Sequence, residues 1–311
     1  MAALTFGFQL ASEGVPWREF LDVWRKGEEY GYESGWSADH YVSTTSNLVT
    51  DPQTDFLDGW QTLSAIAQAT KRIRMGPLVS GNTFRHPAIL AKMGATLDHI
   101  SNGRLEFGIG ASWFKYEHDA LGIPFPSPGE RLKRLDEAVQ IIKALWTQPE
   151  VTFPGTYYQL AKAPAMPKPV QKPHPPITIG AFGEKVALKI VAKHADHWNS
   201  TATPERYASK VAALEGHCKT VGRDPKSIRR SVMIPFYPKE TPEVTKWIEQ
   251  RATMARTTLE AARDWFLVGD RREVQDRMDR FAKQGVSLII IQLQQHGQNT
   301  ETLKAFAKMF L

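Results

Sequence analysis

Short apolar runs alternate along the chain with longer stretches whose apolar residues recur three or four positions apart. Leu4–Leu10, Ser34–Ala38, Ile73–Ser80, Leu105–Ile109, Ile177–Gly180, Asp196–Asn199, Ile228–Phe236 and Ser287–Leu293 read as eight strands. Between them the pattern turns helical. Trp17–Tyr30 closes on Gly31 as a C-cap, and His86-Pro87 opens a helix that runs to about His99, with proline near its first turn. In Glu130–Trp146, Leu132, Leu135, Val139, Ile142 and Leu145 mark one face. Asp58–Ala69, Glu184–His194, Glu205–Val221, Arg272–Lys283 and Glu301–Phe310 complete the helices. Strands that alternate with helices imply right-handed crossovers and a parallel sheet. The predicted fold class is α/β, a (β/α)8 TIM barrel forming one domain over residues 1–311. Two insertions account for the extra length. In 151–176, Val151–Leu160 has β character around Pro154-Gly155, and Pro164–Pro176 carries six prolines in thirteen residues. In 242–266 the pattern is one long helical stretch. An open doubly wound sheet would carry G-x-G-x-x-G in its first β–α turn. Gln9–Pro16 lacks it, and Gly108-Ile109-Gly110-Ala111-Ser112-Trp113 has Trp at the third glycine's place.

Composition narrows the class. Of 311 residues, 42% are hydrophobic and 23% charged, which excludes disordered and fibrous chains. The lone Cys218 has no disulfide partner and fits a reducing, cytoplasmic setting. MAALTFGFQL lacks the basic stretch and apolar run of a signal peptide, and no apolar run is long enough to span a membrane, so neither is expected. The net charge of +6 is spread in pairs such as Arg229-Arg230 and Arg271-Arg272, without a long basic run. It points to an anionic small molecule or to solubility, and away from nucleic acid.

In a barrel, chemistry sits at the C-terminal ends of the strands. Asp39-His40 puts a carboxylate beside an imidazole that can move a proton near neutral pH. A helix-capping Asp and a surface His are the plainer alternative. Gly81, Gly108 and Gly110 allow either close approach of a flat ligand or tight packing. Gly180-Ala181-Phe182-Gly183 before a helix expected from Glu184 suits a phosphate, with Lys185 adding charge. Gln9, Trp113, His118 and Trp198 are the expected substrate pocket, and Gln292–His296 ends the last strand. No G-x-S-x-G elbow or H-E-x-x-H motif occurs, and adjacent Glu117-His118 point about 100° apart on a helix, a poor joint ligand pair, so no metal is expected.

Taken together, WSADH (36–40), MGPLVSGNTFRHPA (75–88), LDHISNGRLEFGIGASW (97–113), EHDALGIP (117–124), GER (129–131), PKPVQKPHPPITIG (167–180) and ADHWN (195–199) resemble the luciferase-like monooxygenase superfamily, and within it the coenzyme F420-dependent oxidoreductases. The likeness covers most of residues 4–200. It implies a deazaflavin in the barrel mouth, Asp39 near its ring and His40 as acid/base toward the substrate. It implies a non-prolyl cis peptide at Leu78–Val79 behind the ring, and cofactor contacts from Ser80, Gly81, Asn82, Gly108, Gly110 and Gly180–Gly183. It also implies a homodimer. Relatives that oxidise alcohols or sugar phosphates often carry glutamate about where Trp113 stands, so an apolar or planar substrate is expected. The leading function is hydride transfer between coenzyme F420 and a small organic substrate. An oxygen-dependent monooxygenase using reduced FMN is the alternative, and a non-catalytic flavin-binding protein stands behind both.

Overall fold

A computed structural model describes residues 3–44, 53–293 and 297–311. The strands are β1 (Thr5–Leu10), β2 (Ser34–Ser37), β3 (Arg74–Pro77), β4 (Ser80–Gly81), β5 (Phe107–Gly110), β6 (Glu150–Pro154), β7 (Gln159–Pro164), β8 (Ile177–Gly180), β9 (His197–Ser200), β10 (Arg229–Tyr237), β11 (Leu267–Val268) and β12 (Leu288–Leu293). The helices are α1 (Trp17–Glu29), α2 (Gly59–Ala69), α3 (Pro87–Ile100), α4 (Lys115–Ala120), α5 (Pro128–Thr147), α6 (Ala187–His194), α7 (Pro204–Thr220), α8 (Pro242–Ala255), α9 (Leu259–Arg263), α10 (Arg271–Ala282) and α11 (Asn299–Phe310). The large sheet runs β3-β2-β1-β12-β10-β9-β8-β5-β4, with all its pairs parallel. A parallel bridge between Met75 and Leu105 brings the two ends together, so the sheet closes as the expected barrel.

The two-residue period of the strands sorts side chains into two layers. On β1, Phe6 and Phe8 point outward, Phe6 against Phe306 of α11 and Phe8 against Trp24 of α1. Gly7 and Gln9 point the other way, and a Cβ on Gly7 would meet Ser34 Oγ at 2.6 Å. Inside the barrel, Trp36, Leu288 and Ile290 form a small separate core flanked by Leu78 and Met233. The opposite interior wall is polar: His197 lies 3.1 Å from Thr178 Oγ1 and 2.7 Å from Ser231 Oγ, and Asn199 Nδ2 donates to Ser231 Oγ at 2.9 Å.

Three expectations need correction. The strand expected over Ile73–Ser80 is two, because the chain changes partner at a cis peptide between Leu78 and Val79: β3 pairs with β2 and β4 with β5. The helix expected from Glu184 begins at Ala187, after a turn. The insertion expected as one helix is α8 and α9, separated where Arg256 adopts a left-handed φ of 49° and Thr258 caps the next helix. These helices bring their own core, Val244, Ile248, Ala252 and Ala262 against Tyr237 and Phe266. The other insertion is the antiparallel hairpin β6–β7 followed by the proline-rich excursion, which Gln171 pins to Asp98 of α3 at 2.7 and 2.9 Å. Among the described residues, no helix is long and apolar enough to cross a membrane, and no cluster of three or more His, Cys, Asp or Glu is placed to hold a metal ion.

Candidate active site

The C-terminal ends of β1, β2, β5, β8, β10 and β12 converge on one mouth. His40 stands there, just after β2. Its Nδ1 lies 2.9 Å from Oε2 of Glu117 on α4, a carboxylate with no exposed side-chain surface. The other carboxylate oxygen accepts the backbone N–H of Tyr41, and that of Val42 at 3.4 Å. An ionised carboxylate is acceptor-only, so it fixes the proton of a neutral imidazole on Nδ1. Nε2 makes no hydrogen bond among the described residues. The rings of Phe56, Phe84, Trp113 and Phe114 stand edge-on around His40, with centroids 5.8 to 6.5 Å away. This arrangement holds an imidazole, a group able to carry a proton, in one orientation within an apolar collar.

Asp39, expected at the cofactor ring, is 1% exposed and committed elsewhere. It takes a two-pronged bond from Arg85, at 2.7 and 3.1 Å, and one from Ser80 Oγ at 2.7 Å. Ser80 in turn accepts from Trp60 Nε1 at 2.7 Å. Asn82 is buried, and its N–H donates to Gly110 O at 3.0 Å. Gly108 and Gly110 have packing reasons: an added Cβ would lie 1.9 Å from Pro77 O at the first and 2.7 Å from Val79 Cγ2 at the second. Gly81 faces Ser112 Oγ in the same way, at 2.4 Å. These residues form the scaffold of the Leu78–Val79 bend, and of the expected cofactor set in this region Leu78 lines one of the three cavities described next.

Three cavities join across the mouth. The first, about 320 Å³, is lined by His40, Trp113, Leu78, Gln9, Glu13 and Asn299, among others. Through Met233 and Gln292 it meets the largest of the three, about 830 Å³, walled by Lys246, Trp247 and Arg251 of α8 and by Trp265. That one shares Thr201, Ala202, Arg251 and Trp265 with a third of about 550 Å³, which adds Phe182, Arg206 and Lys210. The 242–266 insertion is therefore one wall of the groove. Arg251 and Arg206 flank the Trp265 ring at 3.9 and 5.6 Å. Burial, and then the charge of Arg206, lower the pKa of Arg251. Burial also lowers Lys210, with Arg206 adding to it and Glu184 opposing. Cations thus collect at this end of the groove, where Glu184 and Glu249 are also in the lining.

The structure brings Gln9, His40, Leu78 and Trp113 to one cavity and Phe182 to another. Ala181 is buried, its N–H donates to Asn199 O at 3.1 Å, and the turn after Gly183 separates the loop from the helix end expected to meet it. His118 and Trp198, expected in the substrate pocket, line none of these three cavities. His118 is buried against Phe84 and bonded to Thr83 Oγ1 at 2.7 Å. Trp198 donates to Ala181 O at 3.1 Å and stacks on Tyr207. Of the expected strand end Gln292–His296, residues 294–296 lie outside the described residues. The sequence reading missed Glu117 as a partner of His40, Arg85 as the partner of Asp39, and the cations Arg206, Lys210 and Arg251. Glu117 and Arg85 lie within the quoted motifs, so a search for opposite charges among those motifs would have raised both.

The luciferase-like monooxygenase family profile matches residues 1–247. An F420-dependent glucose-6-phosphate dehydrogenase of Microbacterium testaceum is 34% identical over 224 residues, 71% of this chain and 64% of that protein. The chain thus spans a little under two thirds of that relative's length. An FMNH2-dependent dimethylsulfone monooxygenase of Pseudomonas putida is 28% identical over 259 residues, 73% of this chain and 70% of that protein. Among solved structures, an F420-dependent secondary alcohol dehydrogenase in complex with an F420-acetone adduct superposes with a TM-score of 0.86, at 20% identity, over 99% of this chain and 98% of that one. At that identity the likeness establishes a common fold.

Proposed function

The chain belongs to the luciferase-like monooxygenase family, and from that premise we propose that it is an oxidoreductase moving a hydride between coenzyme F420 and a small organic substrate. The observation that carries the proposal is the His40–Glu117 pair, in which His40 lines a cavity in the barrel mouth and its Nε2 has no partner among the described residues. The donor set fits the cofactor. Arg206, Lys210 and Arg251 would hold the phosphate and carboxylates of its tail, with Phe182 beside them. Leu78 would lie against its ring system, at the end of the groove that His40 shares. A deazaflavin held there would supply the hydride chemistry. His40 gives or takes the accompanying proton at Nε2. Glu117 keeps the ring oriented and stabilises its charged form. The aromatic collar limits water at the imidazole. Asp39 acts at one remove, by holding Arg85 and Ser80 behind the bend.

Three cations at the tail end favour the multiply charged F420 over FMN, whose single phosphate needs fewer partners. Titration with oxidised F420 and, separately, with FMN tests this: F420 is expected to bind more tightly, and Arg251→Glu combined with Lys210→Glu to weaken it about tenfold or more. His40→Ala is expected to keep cofactor affinity and lose about 10² in turnover. Tighter binding of FMN, together with oxygen-dependent turnover, would replace this reading with the monooxygenase one.

A further inference from the structure

Glu117 and His118 are adjacent on α4, so their side chains leave the helix about 100° apart. They serve two different walls. Of the six residues of α4, only these two are buried. A helix this short has little stability of its own, and Phe114 gives it no side-chain cap bond. Two polar side chains therefore seat it. Glu117 reaches the segment after β2, through His40, Tyr41 and Val42. His118 reaches the loop after β4. Its Nε2 lies 2.7 Å from Thr83 Oγ1, and its Nδ1 lies 2.7 Å from Phe114 O. A carbonyl only accepts, so Nδ1 carries a proton, and in the neutral ring Nε2 accepts from the Thr83 hydroxyl. Thr83 Oγ1 also lies 2.6 Å from Ser112 Oγ. Ser112 takes a left-handed φ of 60° where the chain leaves β5, a conformation that persists in a non-glycine residue when its surroundings hold it. The His118 ring stacks on Phe84 with centroids 4.8 Å apart, and Phe84 also stands edge-on to His40. Its other ring neighbour is Phe125, at 4.6 Å, which the Arg131 guanidinium covers at 3.9 Å.

We infer that His118, held by Thr83, is a positioning residue for the proton-carrying pair: it fixes α4 to the loop after β4 and so sets where Glu117 meets His40 Nδ1. This rests on the reading of His40 as the group that moves the substrate's proton. Without the His118 anchor, α4 is held by Glu117 alone and can pivot about the 40–42 segment. The carboxylate–imidazole contact is 2.9 Å, and a displacement of about 1 Å takes it out of hydrogen-bond range. A misplacement of that size costs up to about 10² in rate. His118 lines none of the three cavities, so its influence passes through Glu117 and Phe84. Supporting groups of this kind, locked by their own packing and hydrogen bonds, are what keep a reacting side chain in one geometry.

Three variants test the inference. His118→Phe keeps a flat ring and deletes both hydrogen bonds, Thr83→Val deletes the hydroxyl at similar size, and Thr83→Ser retains it. The first readout needs no cofactor: nitrogen-15 spectra of histidine-labelled protein report which ring nitrogen of His40 carries the proton. Wild type and Thr83→Ser are expected to show the Nδ1–H form. His118→Phe and Thr83→Val are expected to show a mixture, with the Nε2–H form raised several-fold. The second readout is turnover with whichever acceptor the wild-type protein reduces. In the same two variants kcat is expected to fall about tenfold or more, with KM and F420 affinity within about twofold, and Thr83→Ser is expected to restore kcat to within about threefold of wild type. A role in stability alone would lower the melting temperature and leave the His40 proton where it is. Circular dichroism establishes folding, and the half-buried Thr83 keeps the test open should His118→Phe not fold. An unchanged Nδ1–H form in the folded variants, a wild type already in the Nε2–H form, or Thr83→Ser behaving as Thr83→Val would overturn the inference. Failure of F420 to bind while the proton shift holds would sink the cofactor reading and leave the positioning role standing.

Discussion

Replacing Glu117 by Gln is the sharpest perturbation of the site, because the two side chains differ only in what they accept and donate. Glu117 faces three N–H donors: His40 Nδ1, Tyr41 N and Val42 N. A glutamine has one acceptor oxygen and one NH2 for the same positions. If the oxygen keeps the two backbone amides, the NH2 confronts Nδ1 and the imidazole must carry its proton on Nε2. If the oxygen turns to His40, the NH2 meets the backbone N–H groups and at least one is left unpaired. Either outcome removes a charge-assisted bond from a fully buried carboxylate, worth about 1.5–3 kcal/mol. The first outcome also turns Nε2 from a proton acceptor into a donor. A comparable change behind the histidine of a catalytic triad costs up to about 10⁴ in turnover. We therefore expect Glu117→Gln to fold, to lose about 2 kcal/mol in urea denaturation, and to lose 10²–10⁴ in turnover with whichever acceptor the wild-type protein reduces, at unchanged F420 affinity. Nitrogen-15 spectra of histidine-labelled protein, with His40→Ala supplying the assignment, report which ring nitrogen carries the proton. A variant that turns over within about threefold of wild type would refute the reasoning, as would retention of the Nδ1–H form with full stability.

The remaining predictions concern what holds the site in place. Asp39→Asn strips the charge from a buried pair, and although Arg85 also reaches Asp58 at 3.3 Å, a loss of about 3 kcal/mol is expected in urea unfolding; a change below about 0.5 kcal/mol would remove Asp39 from the scaffold. Gly108→Ala puts a methyl 1.9 Å from a backbone oxygen and is expected to destabilise by about 3 kcal/mol or more, whereas Gly129→Ala, with nothing within 4 Å on α5, is neutral or stabilising by up to about 1 kcal/mol. Equal melting temperatures for these two variants would contradict the packing argument. Burial pushes the pKa of His197 down to about 3, so between the unfolded value near 6.5 and that pH the unfolded chain binds a proton that the native protein refuses. The contribution is fully present above pH 6.5 and is lost as the pH falls, at about 1.4 kcal/mol per pH unit. From pH 6.5 to 5.0, wild type is therefore expected to lose about 2 kcal/mol more stability than His197→Gln; parallel pH profiles would disprove it.

Periodicity carried the architecture because burial on a closed parallel barrel is written locally. Phe6, Phe8 and Leu10 alternate with Gly7 and Gln9, and that alternation alone places one set under α1 and α11 and the other inside the barrel. Asp39-His40 and Gly180–Gly183 could be placed at strand ends for the same reason. What those residues do was not legible. His40 and Glu117 are 77 positions apart, and Asp39 and Arg85 are 46 apart; only closure of the barrel brings each pair within hydrogen-bond reach. The glycines looked open to a ligand because a sequence does not show that Pro77 and Val79 fill the space above Gly108 and Gly110. Trp198 and His118 looked available because their strand and helix end near the mouth, yet side-chain direction turned them into the core. The chain by itself determined the barrel, its phase and the end at which the proposed site lies. Tertiary structure alone decided which polar groups satisfy one another and which remain free, since that depends on contacts among segments far apart in sequence. Among the described residues, the unbonded Nε2 of His40 and the unpartnered amide oxygens of Gln9 and Asn299 are the result.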